Sequence, residues 1–465
     1  MRIEKDWLGT VEIPDDAYWG NETARAMENF AISDYRLPPV FIKSFAYVKL
    51  ACAKVNHQLG FLPDDIFGAI SWACQQLIDG NFHDQIVVDA MQGGAGTSTN
   101  MNFNEVIANL ALEKLGISKG TFENIHPLHH VNLHQSTNDV YPTALKLAVL
   151  FLLKDLEKVV GVLQTELQAK EMEFKDIVKL GRTQLQDAVP MTLGMTFGAW
   201  SEAIARDRWR IFKSRERIKV VNLGGTAIGT GLNAPRKFIF KAAEELRRLT
   251  GLNISRSENL VDATQNLDPF VEISGMLKAC AVNLLKISND LRILASGPGG
   301  GIAEIILPAR QKGSTIMPGK VNPVLPEMMA QVAIKVMAND NIVAQTAGLG
   351  NLELNQFLPL LAFSIIESLS LLSRSIPKFT ELCIKGIRAN AGKCRYNVEH
   401  SHALATVLVN KFGYAKVEKL IGKSVENKKK IAEILLEEKL LSPAEIDELL
   451  APANMYKLGF DDEKS

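Results

Sequence analysis

Five short polar stretches stand out as places where side chains could do chemistry. They are residues 92–102 (QGGAGTSTNMN), 134–143 (HQSTNDVYPT), 179–190 (KLGRTQLQDAVP), 224–233 (GGTAIGTGLN) and 313–323 (GSTIMPGKVNP). As a set they are rich in Ser, Thr, Asn and Gln and poor in charge, and the last carries Lys320. Any one of them could be ordinary turn and helix-cap chemistry. Five of one composition argue for a shared task. Neutral donors, backbone N–H groups at helix starts and one lysine suit a small carboxylate anion.

Other chemistries fit less well. Gly313 to Lys320 looks superficially like a phosphate-binding loop, but its glycines are one residue too far apart, Val321 follows the lysine and Pro318 removes a donor. Gly229 to Ala234 fits a dinucleotide G-x-G-x-x-A pattern with no strand signal before it. His126, His129, His130 and His134 cluster without an HExxH arrangement and read as non-metal. No G-x-S-x-G elbow occurs. The five cysteines, Cys52, Cys74, Cys280, Cys383 and Cys394, form no CxxC pair and read as core thiols in a reducing compartment.

Lys plus Arg total 52 and Asp plus Glu total 52, so the formal net charge is zero. That excludes a broadly basic nucleic-acid binder or a polybasic membrane-surface protein. The N-terminus has no apolar signal region, and no run reaches the roughly 18 uninterrupted apolar residues of a membrane span. A cytoplasmic protein is expected, with no nucleic-acid and no membrane partner.

Long helices must position the stretches. Apolar residues recur at Leu145, Val149, Leu152, Leu156, Val159, Leu163 and Leu167. They recur at Ile273, Leu277, Cys280, Leu284, Ile287, Leu291 and Leu294, and at Met329, Val332, Val336, Asn339, Val343 and Thr346 with polar residues in the seam. Steps of three and four residues predict helices that bury one face against other helices. Period-two runs are scarce. The prediction is an all-α fold with a central bundle of long helices. Its expected domains are an N-terminal helical domain over 1–140, the bundle over 141–395 and a small helical domain over 396–465. There Ser442, Pro443 and Glu445 predict a capped helix start.

The fifth stretch closely resembles the signature of the aspartase/fumarase superfamily, GSSxMPxKxNP, with Thr315 in place of the second serine. GTSTNMN (96–102), STND (136–139), GRTQLQDAVP (181–190) and GGTAIGTGLN are similar to the superfamily's other blocks, in the same order. The wording is closer to the aspartases than to the class II fumarases. The latter typically carry His at Gln184 and usually read SSND at 136–139. The tail near 409–412 lacks an expected proline.

The resemblance implies a three-domain fold and a homotetramer with a central bundle of about twenty helices, each active site being shared by three subunits. It implies reversible deamination of L-aspartate to fumarate and ammonia, with no metal and no organic cofactor. Ser314 would be the general base. Thr99, Ser136, Thr137 and Thr315 would donate to the carboxylate that gains charge. Lys320 and Asn322 would clamp the other carboxylate, and Asn138, Thr183 and Gln184 would surround the amino group. A fumarase, another fumarate-releasing lyase or a catalytically silent helical scaffold are the alternatives.

Overall fold

The computed structural model describes residues 1–457 and Gly459. The chain opens on a hairpin of β1 (Arg2–Asp6) and β2 (Gly9–Ile13). Four helices follow: α1 (Asn21–Asn29), α2 (Pro39–Gln58), α3 (Asp64–Asp79) and α4 (Thr97–Lys114). Next come α5 (Thr137–Glu173), a second hairpin of β3 (Val178–Thr183) and β4 (Gln186–Thr192), and α6 (Leu193–Ile218). The two-residue β5 (Val220–Val221) pairs in parallel with β6 (Ser255–Arg256) around α7 (Arg236–Thr250). Then come α8 (Leu260–Gln265), α9 (Asp268–Leu294), β7 (Ile305–Ile306), α10 (Val324–Gly348), α11 (Leu358–Leu382) and β8 (Arg388–Ala389). The short helices α12 (Ala391–Glu399), α13 (Ala403–Phe412), α14 (Tyr414–Asn427), α15 (Ile431–Glu437), α16 (Pro443–Leu449) and α17 (Pro452–Met455) complete it.

The fold is all-α in substance. Helices α5, α6, α9, α10 and α11 run 25 to 37 residues, about 38–55 Å at 1.5 Å per residue. The predicted seam of α9 is buried at all seven positions. On α5 the buried line runs through Leu153 and Val160 rather than Leu152 and Val159, which are half-buried beside it. Adjacent apolar residues offer two nearly equal choices there, and periodicity alone cannot rank them. On α10, Ala333 takes the buried place expected for Val332.

The chain divides into two compact units. One comprises Met1–Glu157, Trp209–Ala279 and Lys335–Ser373; the other comprises Lys158–Arg208, Cys280–Ile334 and Arg374–Ser465. All five boundaries between these segments, after Glu157, Arg208, Ala279, Ile334 and Ser373, fall within the long helices. In the first unit α2 buries 13 of its 20 residues, with Phe45 stacked on Phe103 at 4.4 Å and Phe41 edge-on to Tyr141 at 5.1 Å. In the second, Leu404, Leu408, Leu420, Ile434 and Leu435 form a core of their own among the short C-terminal helices. Ser442 caps α16 as its sequence predicts, with Glu445 reaching back to the Ser442 N–H at 2.8 Å.

Two features depart from the helical reading. The first 13 residues include a hairpin, and the third polar stretch is itself a hairpin rather than a loop between helices. All five cysteines are buried and no disulfide joins them. The span Leu358–Gly386 has the length and hydropathy of a membrane-crossing helix, and 61% of its apolar window is buried within the protein.

Candidate active site

Three of the five stretches meet inside the first unit. Gly96 caps α4 with φ 91°, and a Cβ there would lie 2.2 Å from the Tyr141 ring. Only glycine lets the start of α4 lie that close to α5. Thr99, one turn on, is fully buried, and its N–H and hydroxyl both donate to Gln92 Oε1 at 3.0 Å. Its hydroxyl is therefore committed within its own stretch and shielded, which disagrees with the donor role expected for it. Thr97 stands exposed at the helix start, its hydroxyl donating to the Gly94 carbonyl at 2.7 Å.

Helix α5 starts from a reciprocal cap. Ser136 Oγ accepts from the Asn138 N–H at 3.2 Å, and Asp139 Oδ1 accepts from the Ser136 N–H at 3.0 Å. Thr137 is nearly buried, and its oxygen accepts from Asn100 Nδ2 at 3.1 Å. Asn138 Nδ2 donates to the Ala227 carbonyl at 2.7 Å. Asp139 Oδ2 accepts from the N–H groups of Gly224 at 3.1 Å and Thr226 at 3.0 Å. Burial pushes the Asp139 carboxyl up to about 7, against those three N–H groups, which favour its charged form. Pro142, inside α5, cannot donate to the Asn138 carbonyl four residues back; Asn222 Nδ2 does so instead at 3.0 Å.

The sequence reading passed over Asp139, although its place three residues after Ser136 is a capping signal. Two of the four histidines accept from backbone N–H groups, and His134 pairs with the Asn56 side chain at 2.7 Å. His126 Nδ1 accepts from Leu128 at 3.0 Å and His130 Nδ1 from His126 at 2.9 Å. Burial lowers the pKa of both rings.

The second unit carries the other two stretches. Thr183 pairs with Gln186 across the tip of the β3–β4 hairpin. Between them Gln184 has φ 53° and Leu185 φ 63°. Two left-handed residues make the tightest hairpin turn, a place that favours Asn and Gly. Here two larger residues hold it, at a strain that commonly marks functional sites. Thr183, Gln184 and Leu185 are all exposed. Below them Glu304, fully buried, takes Arg182 at 2.8 Å, Asn397 at 3.0 Å and Lys179 at 3.4 Å. Burial would raise the Glu304 carboxyl, but Arg182 and Lys179 overcome it and hold the group below the usual carboxylate range.

The Ser314 loop is closed at its base. The Gly313 N–H donates to the Lys320 carbonyl at 2.8 Å, and Asn322 Nδ2 donates to the Gly313 carbonyl at 2.8 Å. A Cβ on Gly313 would lie 2.6 Å from the Lys320 oxygen, so close approach requires this glycine. Ser314 Oγ accepts from the N–H groups of Ile316 at 3.2 Å and Met317 at 3.0 Å. Donors aimed at the oxygen favour the oxyanion over the hydroxyl. Thr315 is exposed, and the Lys320 ammonium has no hydrogen-bond or ion-pair partner among the described residues. No hydrogen bond joins this loop to the Thr183–Gln184 tip among the described residues.

A family model described as Lyase matches residues 9–338, and one described as Fumarase C C-terminus matches residues 404–457. The chain belongs to the aspartase/fumarase family of lyases. This lyase is 45% identical over 464 residues to an aspartate ammonia-lyase of Bacillus sp, covering 100% of this chain and 99% of the relative. It is 48% identical over 461 residues to an aspartate ammonia-lyase of Pseudomonas aeruginosa, covering 98% and 96%. Among solved structures it is similar to a fumarate lyase:delta crystallin from Brucella melitensis. There the TM-score is 0.94 and the identity 45%, with 98% of this lyase and 100% of that chain covered.

Proposed function

We propose that this carbon–nitrogen lyase is an aspartate ammonia-lyase, converting L-aspartate reversibly to fumarate and ammonia. The observation that carries the chemistry is the Ser314 oxygen under two backbone N–H groups. The Cβ proton of aspartate is only weakly acidic. Its removal spreads charge onto the neighbouring carboxylate as an aci-carboxylate dianion, so catalysis needs donors already in place there. Ser314, as its oxyanion, takes the proton. Ser136, Thr137 and Thr315 donate to the dianion, and Thr97 takes the part first given to Thr99. Lys320 holds the α-carboxylate, with Asn322 bracing the loop beside it. Asn138, Thr183 and Gln184 surround the amino group, which leaves as ammonia. One well-aimed donor supplies about 3–4 kcal/mol, so several can account for a large part of the roughly 8–23 kcal/mol that enzymes remove.

The reading includes a homotetramer in which three subunits complete each site, a cytoplasmic location and no cofactor. It is supported by the division of the chemistry between two compact units. One carries Ser136, Thr137 and Asn138; the other carries Gln184 and Ser314. Gln184 favours aspartate over malate. Hydroxide leaves poorly without a proton from an acid, whereas an ammonium group is already protonated and leaves as neutral ammonia. An amide hydrogen-bonds but does not titrate. The test is fumarate formation, followed by ultraviolet absorbance, from L-aspartate and then from L-malate at pH 8. A kcat/KM for malate equal to or above that for aspartate would overturn the assignment in favour of a fumarase.

A further inference from the structure

Lys49 lies in the middle of α2 in the apolar run FAYVKLACAKV, and the structure leaves it 0% exposed. Its ammonium donates to Asn132 Oδ1 at 2.9 Å and to Gln135 Oε1 at 3.0 Å. Both partners are neutral amides. Phe45 lies beneath it, its ring centre 5.8 Å away. Burial pulls its pKa down to about 7, against the nearby Asp139 and the thiols of Cys52 and Cys74. A cation taken from water and hydrogen-bonded only to amides is costly to bury, and an apolar side chain of like length would pack there at less cost.

Charged or neutral, the amine has a property no apolar residue shares: it gives its N–H groups to both amide oxygens. That fixes the orientation of every amide beyond it. Asn132 must turn its oxygen to Lys49, and its NH₂ then meets the Gln135 carbonyl at 3.2 Å. The same Asn132 oxygen accepts from Asn100 Nδ2 at 3.1 Å. Asn100 must therefore present its NH₂ side, and that nitrogen also donates to Thr137 Oγ1 at 3.1 Å. With its oxygen accepting, Thr137 has its own proton free to donate outward. Gln135, oriented the same way, donates to the Val131 carbonyl at 2.9 Å and stiffens the turn leading into Ser136.

The structure assigns Lys49 as a positioning residue: it sets the direction of a hydrogen-bond chain, Lys49 to Asn132, shared with Asn100 and ending at Thr137, that aims the Thr137 proton at the substrate carboxylate. The assignment rests on Thr137 being a substrate donor, as in the proposed function. A donor whose direction is fixed beforehand has no reorientation to make as charge develops, and the gain falls on the transition state.

The experiment is a double-mutant cycle on L-aspartate turnover. Lys49→Met keeps the length and removes the donor; Thr137→Val removes the hydroxyl at its far end. Wild-type turnover and a large loss on Thr137→Val establish the underlying reading independently. Lys49→Met is then expected to lower kcat about tenfold, with KM within threefold, and to lower it less than twofold when Thr137 is already Val. Equal losses in both backgrounds, or no loss in the first, overturn the assignment. Should Lys49→Met not fold, Asn100→Ala breaks the same chain nearer its end. It is expected to show the same dependence on Thr137, and losses independent of Thr137 overturn the assignment equally.

Discussion

Ser314 and Asp139 show how far a single side chain depends on backbone N–H groups. Ser314→Ala removes the oxygen that Ile316 and Met317 hold. Turnover is expected to fall at least a thousandfold while the elution volume stays that of wild type; a kcat within tenfold of wild type would reject Ser314 as the base. Asp139 serves structure rather than chemistry, joining the start of α5 to residues 224–226 through three N–H groups. Asp139→Asn puts an NH₂ where one of those donors needs an acceptor, and the cost is about 1–3 kcal/mol, read as a lowered denaturation midpoint. Because burial raises this carboxyl from 3.8 to about 7, the native state holds its proton more tightly than the unfolded chain does. Its contribution is complete below the unfolded value and fades as pH rises through 7. The gap between wild type and Asp139→Asn should therefore narrow from pH 4 to pH 7. Thr99 and Thr97 mark the limit of reading residues from sequence. Both are threonines in one motif, and only the turn of α4 decides which faces solvent.

At the scale of elements, long helices were legible and hairpins were not. The seam of α9 could be read residue by residue, because its seven residues keep strictly alternating steps of four and three and all seven are buried. The hairpin at 178–192 hid because its turn, Gln184–Leu185, lacks the glycine or asparagine that announces such a turn. That omission has a measurable cost. Leu185→Gly gives the left-handed position its preferred residue and should stabilise the protein by about 0.5–1 kcal/mol. A midpoint unchanged or lowered would mean that the exposed Leu185 side chain has contacts of its own. The polar core around Lys49 was equally hidden: helical periodicity marks the position as interior but cannot say why it is charged.

For the whole molecule, the separation of the chemistry into two units makes a prediction that needs no structure of an assembly. A Thr137→Val chain and a Ser314→Ala chain should each be nearly inactive alone. If sites are built from several chains, unfolding and refolding the two together creates some sites with no defect, and activity should reappear at up to about a quarter of wild type under random mixing. Activity no higher than the sum of the separate variants would show that each chain completes its own site. The five cysteines carry a different consequence. Burial pushes the thiols of Cys74, Cys383 and Cys394 up to about 12 and Cys52 higher still, so at neutral pH almost none is present as the reactive thiolate. An alkylating reagent would then find its targets only in chains that have opened, and the rate at which thiols are trapped would serve as a clock for spontaneous unfolding.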